Sequence, residues 1–491
     1  MGENSLKKKV VSSMFWAFSE RVMAQGISFV LSIIIARLLM PSDYGIIALV
    51  IVFINLANVF VSTGIGESLI QKKDADDMDF STVFYCSLVL SLFLYVILFL
   101  FAPDIGHFYR NDELIWVLRS LALIIPITSI GTVQQAYVSK KMLFKKFFFS
   151  TLGGTIISGL TGVLMAYCGL GMWSLVAQYL INSLVNTIVL FFIVKWRPKL
   201  LFSINSAKAL VGFGWKLVAA NFINTTYGEL RSLIIGKYYT MADLAYYNRG
   251  NQLPGLLITN IDTAIGKVVF PVMAESNDDI FRLKSLTSRA MKTTSYIIFP
   301  LMIGLMSVAH SLILFLLTEK WLFSVPYLQI CCVYWLFQPM QTANWQAIKA
   351  LGRSDLLVRL EIIKKIIGIS MLLVSMNISV YAIVVSNAIF AGISMIINMI
   401  PNKKLMNYTM MEQFRDLAPS LALSVVMGGS IYTITWIHLP VPVTLLLQIL
   451  CGVVIYVGGS FVLKLDSFKY LSGMVSKTVK TRSRRVSAKS Y

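Results

Sequence analysis

Hydrophobic positions in this chain come in long unbroken runs, without the strict alternation of a half-buried strand or the narrow stripe of a soluble amphipathic helix. Fourteen such runs fall at 13–38, 44–68, 81–103, 115–137, 148–169, 172–194, 215–238, 251–273, 293–317, 324–348, 357–376, 379–400, 417–437 and 441–463. Most hold about 18–25 residues, enough helix to cross a hydrocarbon core of ~30 Å. The pattern predicts an all-α integral membrane protein of about fourteen transmembrane helices. The first run is too long for a signal-peptide core, carries Arg21 and lacks a small-residue cleavage site, so it counts as a span.

Polar positions sharpen this picture. Thirty-five of the 43 Lys and Arg residues lie in the N-terminal segment, in every second connection or in the tail, from Lys7–Lys9 through Lys140–Lys146 and Arg282–Lys292 to Lys464–Lys489. That bias places both termini of a multi-pass protein in the cytoplasm. The net charge of +20 is therefore mostly topological. The basic tail from Lys477 to Lys489 reads as contact with anionic lipid headgroups, not with nucleic acid. Composition agrees: 57% of residues are hydrophobic, 13% are charged, and mean hydropathy is +0.74. The five cysteines fall inside spans without metal-ligand spacing and read as buried thiols, and the three histidines are scattered. No nucleophile, phosphate-loop or zinc motif is present and the connections are short, which favours a transporter without catalytic residues, metal or cofactor.

An internal repeat organises the spans. Arg37-Leu-Leu-Met-Pro-Ser-Asp43-Tyr-Gly45 recurs as Lys237-Tyr-Tyr-Thr-Met-Ala-Asp243-Leu-Ala245, and Thr63-Gly-Ile-Gly66-Glu67 as Thr263-Ala-Ile-Gly266-Lys267, both at an offset of 200 residues. Six spans separate the copies, so both halves insert the same way up: a parallel pseudo-twofold repeat with a substrate path between the lobes. The expected domains are an N-lobe at 1–200 (helices one to six), a C-lobe at 201–402 (seven to twelve), two appended helices at 403–465, and a tail at 466–491.

Ionisable groups inside spans are costly and mark candidate sites. Glu20 and Arg21 lie about two turns into the first span, where Arg21 could equally snorkel to the headgroups. Glu229 and Arg231 in the seventh span point to nearly opposite sides of a helix, so each needs a partner elsewhere. Asn221, Asn224, Thr225, Gly228 and Arg231 form a polar stripe that reads as cavity lining or as interhelical glue. Asp262 in the eighth span is either a buried partner of a cation such as Arg231 or a titrating, cation-binding group. Asn55, Asn58 and Ser62 in the second span, and Gln338, Gln341 and Trp345 in the tenth, repeat an i, i+3, i+7 pattern that suits sugar faces or simple packing.

Several segments carry a family resemblance: Ser19-Glu-Arg-Val-Met-Ala-Gln-Gly26, Ile35-Ala-Arg-Leu-Leu-Met-Pro-Ser-Asp-Tyr-Gly45, Gly64-Ile-Gly-Glu-Ser-Leu-Ile-Gln-Lys-Lys73, Leu317-Thr-Glu-Lys-Trp321, Leu351-Gly-Arg-Ser-Asp355 and Leu360-Glu-Ile-Ile-Lys-Lys-Ile-Ile-Gly368. Together, over about residues 5–465, they resemble the polysaccharide-exporting branch of the MOP (multidrug/oligosaccharidyl-lipid/polysaccharide) flippase superfamily, nearest its colanic acid and teichuronic acid exporters. The resemblance implies a two-lobed, MATE-like fold and movement of an undecaprenyl-diphosphate-linked oligosaccharide from the cytoplasmic to the outer leaflet for surface polysaccharide assembly. Polysaccharide polymerase and export machinery would be its partners. A diphosphate needs cations along its path, and Arg21, Arg231, Lys237 and Arg249 are the candidates; Glu20, Glu229 or Asp262 would couple the cycle to H+ or Na+. The alternative is a cation-coupled small-molecule antiporter of the related multidrug type.

Overall fold

The computed structural model describes residues 3–63, 69, 76–141, 143–276 and 278–473, without some side chains, Arg21 among them. All described elements are helical. The first half holds α1 (Glu3–Leu38), α2 (Pro41–Asn58) with a π-helical turn at Val59–Thr63, α3 (Asp77–Tyr109), α4 (Glu113–Leu121), α5 (Ile124–Lys141), α6 (Phe144–Tyr167), α7 (Trp173–Ile193), α8 (Ile204–Tyr238) and α9 (Met241–Ala274). Then follow α10 (Ile280–Ser307), α11 (Ala309–Leu317), a 3-10 turn at Glu319–Ser324, α12 (Val325–Leu336), α13 (Gln338–Ala350), α14 (Ser354–Ser375), α15 (Val380–Met406), α16 (Met410–Thr433) and α17 (Val441–Val462). Two compact units divide between Ala245 and Tyr246.

Helix coincides with each of the fourteen apolar runs. Eight helical segments among the described residues are long and apolar enough to cross a membrane, and α10 with α11, bent by 69° at their junction, makes a ninth. Of the other five runs, that on α1 contributes a shorter apolar helix over Val22–Leu38, and those on α8, α9, α12 with α13, and α14 are too polar or too broken for that test; together they carry most of the candidate ionisable residues. Many basic residues expected in connections sit instead on helical extensions. The 35 residues of α8 span roughly 50 Å, which leaves Lys208 exposed on its second turn and Lys216 exposed on its fourth.

The repeated corner has a local cause. Asp43 lies at the third position of α2 and its Oδ2 accepts the N–H of Met40 at 3.2 Å; Asp243 does the same for Thr240 at 3.2 Å and also accepts its hydroxyl at 2.6 Å. Both copies are acidic N-terminal clamps that start the helix after a sharp corner. They also meet: a Cβ on Gly45 would lie 1.8 Å from the carbonyl oxygen of Met241, so only glycine lets α2 cross the start of α9 at this distance. Residues 64–67 of the second match and the basic tail beyond residue 473 lie outside the described residues.

The apolar exterior follows from the solvent. Only 22% of the apolar window of α3 and 28% of that of α17 is buried within the protein, against 56% for α2. Outer helices thus expose Phe93, Phe101, Val454 and Phe461 where lipid replaces a protein neighbour. Of the cysteines, Cys331 and Cys332 are buried, but Cys168 is exposed, because it sits just past the C-terminus of α6 and not within the span.

Candidate functional site

In the first unit, the polar stripe of α8 lies at an open face. Asn224 and Gly228 are exposed, and a Cβ on Gly228 would meet nothing within 4 Å. Asn221 and Thr225 are half-buried beside them. Glu229 finds its partner on another helix: Nδ2 of Asn55 on α2 donates to Oε1 of Glu229 at 3.0 Å. One turn on, Asn58 accepts a long 3.5 Å hydrogen bond from the Thr128 hydroxyl of α5, directly before the π-helical turn.

Arg231 behaves differently. It is only 8% exposed, its guanidinium lies 5.7 Å from the ring centroid of Tyr227 on its own helix, and its Nε has no hydrogen-bond partner. No carboxylate among the described residues pairs with it. A buried guanidinium held by one aromatic face is poorly compensated. Lys237, two turns later, is committed: its Nζ donates to the carbonyl of Phe108 and sits 3.8 Å from that ring's centroid, so it neutralises the C-terminal end of α3. Glu20 is half-buried on α1.

The second unit has its own cluster. Arg249 is 9% exposed, donates Nη1–H to Oε1 of Gln252 at 2.7 Å, and lies 5.1 Å from the Trp321 ring centroid. Its neighbour Gly250 is pressed against the backbone of α12, where a Cβ would lie 2.7 Å from the nitrogen of Leu328, so Arg249 is held in packing. Deeper in α9, Oδ2 of Asp262 accepts from Nε2 of Gln338 at 3.0 Å, while Oδ1 is buried without a hydrogen bond. Gln338 Nε2 also reaches the Thr342 hydroxyl at 3.3 Å, and Gln346 Nε2 lies 3.3 Å from where a Gly266 Cβ would be.

The face of α13 turned to α9 therefore steps by four, through Gln338, Thr342 and Gln346. Gln341 is half-buried, and Trp345 stacks on Lys364, whose Nζ lies 5.2 Å from its ring centroid and pairs with Glu361. Thr342 and Gln346 escape a sequence reading because the i+3, i+7 grouping selects the aromatic; the i+4, i+8 spacing holds the signal. Also absent from that reading is a fully buried amide set, in which Asn344 Nδ2 donates to Oε1 of Gln413 at 3.0 Å and Nδ2 of Asn402 donates to Oδ1 of Asn344, tying α13, α15 and α16.

Comparison with known proteins adds the following. A family described as "Polysaccharide biosynthesis protein" matches residues 34–326. The teichuronic acid biosynthesis protein TuaB of Bacillus subtilis (strain 168) is 25% identical over 304 residues, 61% of this chain and 62% of that protein. The succinoglycan biosynthesis transport protein ExoT of Rhizobium meliloti (strain 1021) is 24% identical over 65% of each chain. The lipopolysaccharide biosynthesis protein WzxC of Escherichia coli (strain K12) is 25% identical over 73% of this chain and 74% of its own length. The chain thus spans just under two thirds of the first two. Among solved structures, the lipid II flippase MurJ in an inward closed conformation shares the fold at a TM-score of 0.72 and 15% identity, over 92% of this chain and 99% of that one.

Proposed function

The chain belongs to the polysaccharide biosynthesis protein family, and we propose that within it the protein flips an undecaprenyl-diphosphate-linked oligosaccharide from the cytoplasmic to the outer leaflet of the bacterial plasma membrane, by alternating access with both termini in the cytoplasm. The observation that carries this reading is Arg231: a buried cation without a carboxylate partner, on the same helix as the open stripe of Asn221, Asn224 and Gly228. A diphosphate would supply the missing counter-charge, and neutral amides would meet sugar hydroxyls without binding them too tightly to release.

Coupling is assigned to Asp262. One carboxylate oxygen is held by a neutral amide and the other is buried without a hydrogen bond, an arrangement that a proton or a sodium ion would complete. The names of the relatives, biosynthesis and transport proteins for teichuronic acid, succinoglycan and lipopolysaccharide, support a lipid-linked glycan as substrate and machinery of polysaccharide assembly as partner.

The test is transfer of a lipid-linked oligosaccharide across proteoliposomes containing the purified protein, read as accessibility of the glycan to a membrane-impermeant lectin. Translocation by the wild type and its loss in Arg231→Ala at unchanged abundance support the reading. Full activity of the variant removes Arg231 from the site, and dye or drug efflux without glycan movement replaces flipping by a multidrug-type antiporter.

A further inference from the structure

A second polar cavity lies away from the sites above, where the first turns of α10 meet the segment that follows α17. It measures about 380 Å³, within the ~300–1,000 Å³ range of small-molecule sites. Residues 466–473 form a helical segment, and the apolar side chains of Leu465, Phe468 and Leu471 pack onto the Tyr296 and Tyr456 cluster between α10 and α17. That anchoring turns Ser467 and Tyr470 into the cavity, opposite Ser285, Arg289 and Lys292 of α10. Arg289 lies four residues before the apolar run that starts at 293, about 6 Å along a helix, and therefore at headgroup depth.

The charges here are balanced in a particular way. Lys292 pairs with Asp416 at 2.9 Å, and Asp416 also accepts the hydroxyls of Ser288 at 2.5 Å and Tyr408 at 2.6 Å, so that carboxylate is fully engaged. Among the described residues, two charges on the cavity wall have no ion-pair partner. Arg289 is exposed, with its guanidinium 5.5 Å from the Tyr470 ring centroid; Asp466 is an exposed carboxylate; and the two make no ion pair with each other. One cation and one anion, neither in an ion pair among the described residues, in a single cavity at headgroup depth match a zwitterion better than a simple anion.

We propose that this cavity holds the headgroup of an aminophospholipid from the adjoining leaflet, its phosphodiester on Arg289 and the hydroxyls of Ser285, Ser467 and Tyr470, and its primary ammonium on Asp466. The chemistry ranks the common headgroups. Phosphoethanolamine offers both a phosphate and N–H donors. Phosphocholine keeps the charge but has no N–H for the carboxylate. Phosphoglycerol leaves Asp466 without a counter-charge. The site needs only that α10 and α17 cross the bilayer, and it is independent of what the protein transports.

The test uses full-length protein, delipidated in detergent and titrated with phosphatidylethanolamine, phosphatidylcholine or phosphatidylglycerol of identical acyl chains, with bound lipid counted by native mass spectrometry. Phosphatidylethanolamine should be retained about fivefold over phosphatidylglycerol, the scale of one partly exposed ion pair. Asp466→Asn should erase that preference, Arg289→Gln should lower retention of all three lipids, and Arg282→Gln, an exposed control outside the cavity on the same helix, should change nothing. Equal retention of the three lipids by the wild type overturns the proposal, as does an unchanged preference in Asp466→Asn or an equal loss in Arg282→Gln. Free phosphoethanolamine binding where the lipid does not would overturn the lipid source and assign the cavity to a soluble metabolite.

Discussion

The two units each hold an acidic residue by a neutral amide and each bury an arginine beside an aromatic ring, but among the described residues only the second unit's arginine also donates to a side-chain acceptor, Gln252. In the first, Asn55 donates to Glu229 and leaves Arg231, two residues away, uncompensated. In the second, Gln338 donates to Asp262, while Arg249 is wedged between Gln252 and Trp321 at the start of α9. An amide partner brings a carboxylate no counter-charge, whereas a salt bridge would. That difference is the basis of the proposed assignment of anion capture to the first unit and cation exchange to the second.

The largest expected effect comes from removing the packing that seats α2. Gly45→Leu drives a side chain into the backbone of Met241 and should cost about 3 kcal/mol or more, seen as loss of folded protein in detergent, while the Gly250 contact in the second unit is untouched. Next, Arg231→Met should weaken binding of a polyprenyl diphosphate about 30-fold or more and at the same time raise the melting temperature, because it removes a buried charge without a counter-ion. A fall in melting temperature would show that Arg231 is structural, and the asymmetry between the units would collapse.

Asp262→Asn should abolish the dependence of transport on a proton or sodium gradient while leaving diphosphate binding intact, measured as flux with and without each gradient. Gln338→Ala should destabilise the protein by ~1–3 kcal/mol because it strips a partly buried carboxylate, whereas Asn55→Ala should cost less, since Asn55 is exposed and water can replace it. The smallest effect is a surface control outside the membrane. Hydrogen bonds from Arg353 hold the Asp355 carboxyl down at about 2, from an ordinary 3.8. Stability from this pair is present above 3.8 and fades as pH falls through about 2; Arg353→Gln should return Asp355 toward 3.8 by NMR titration without a change in transport.

Much of this protein is written in its linear pattern. Run length against bilayer thickness yields the spans, because an unbroken apolar run in hydrocarbon satisfies its own backbone groups as a helix, and the corner at Met40–Gly45 is local capping chemistry that recurs at Thr240–Ala245. The charged and amide residues could also be listed from the sequence, since polar groups in apolar runs stand out. Their partners could not. Asn55 meets Glu229 across 174 residues of chain, Gln338 meets Asp262 across 76, and Lys237 turns out to cap α3. Periodicity misplaced the face of α13 because steps of three and four both approximate a helix turn, and only the position of α9 decides between Trp345 and Thr342. The sequence by itself determined the solvent of each helix and the chemistry available within it. The tertiary structure decided which charges are cancelled and which stay free, because cancellation depends on distances of about 3 Å between residues far apart in the chain.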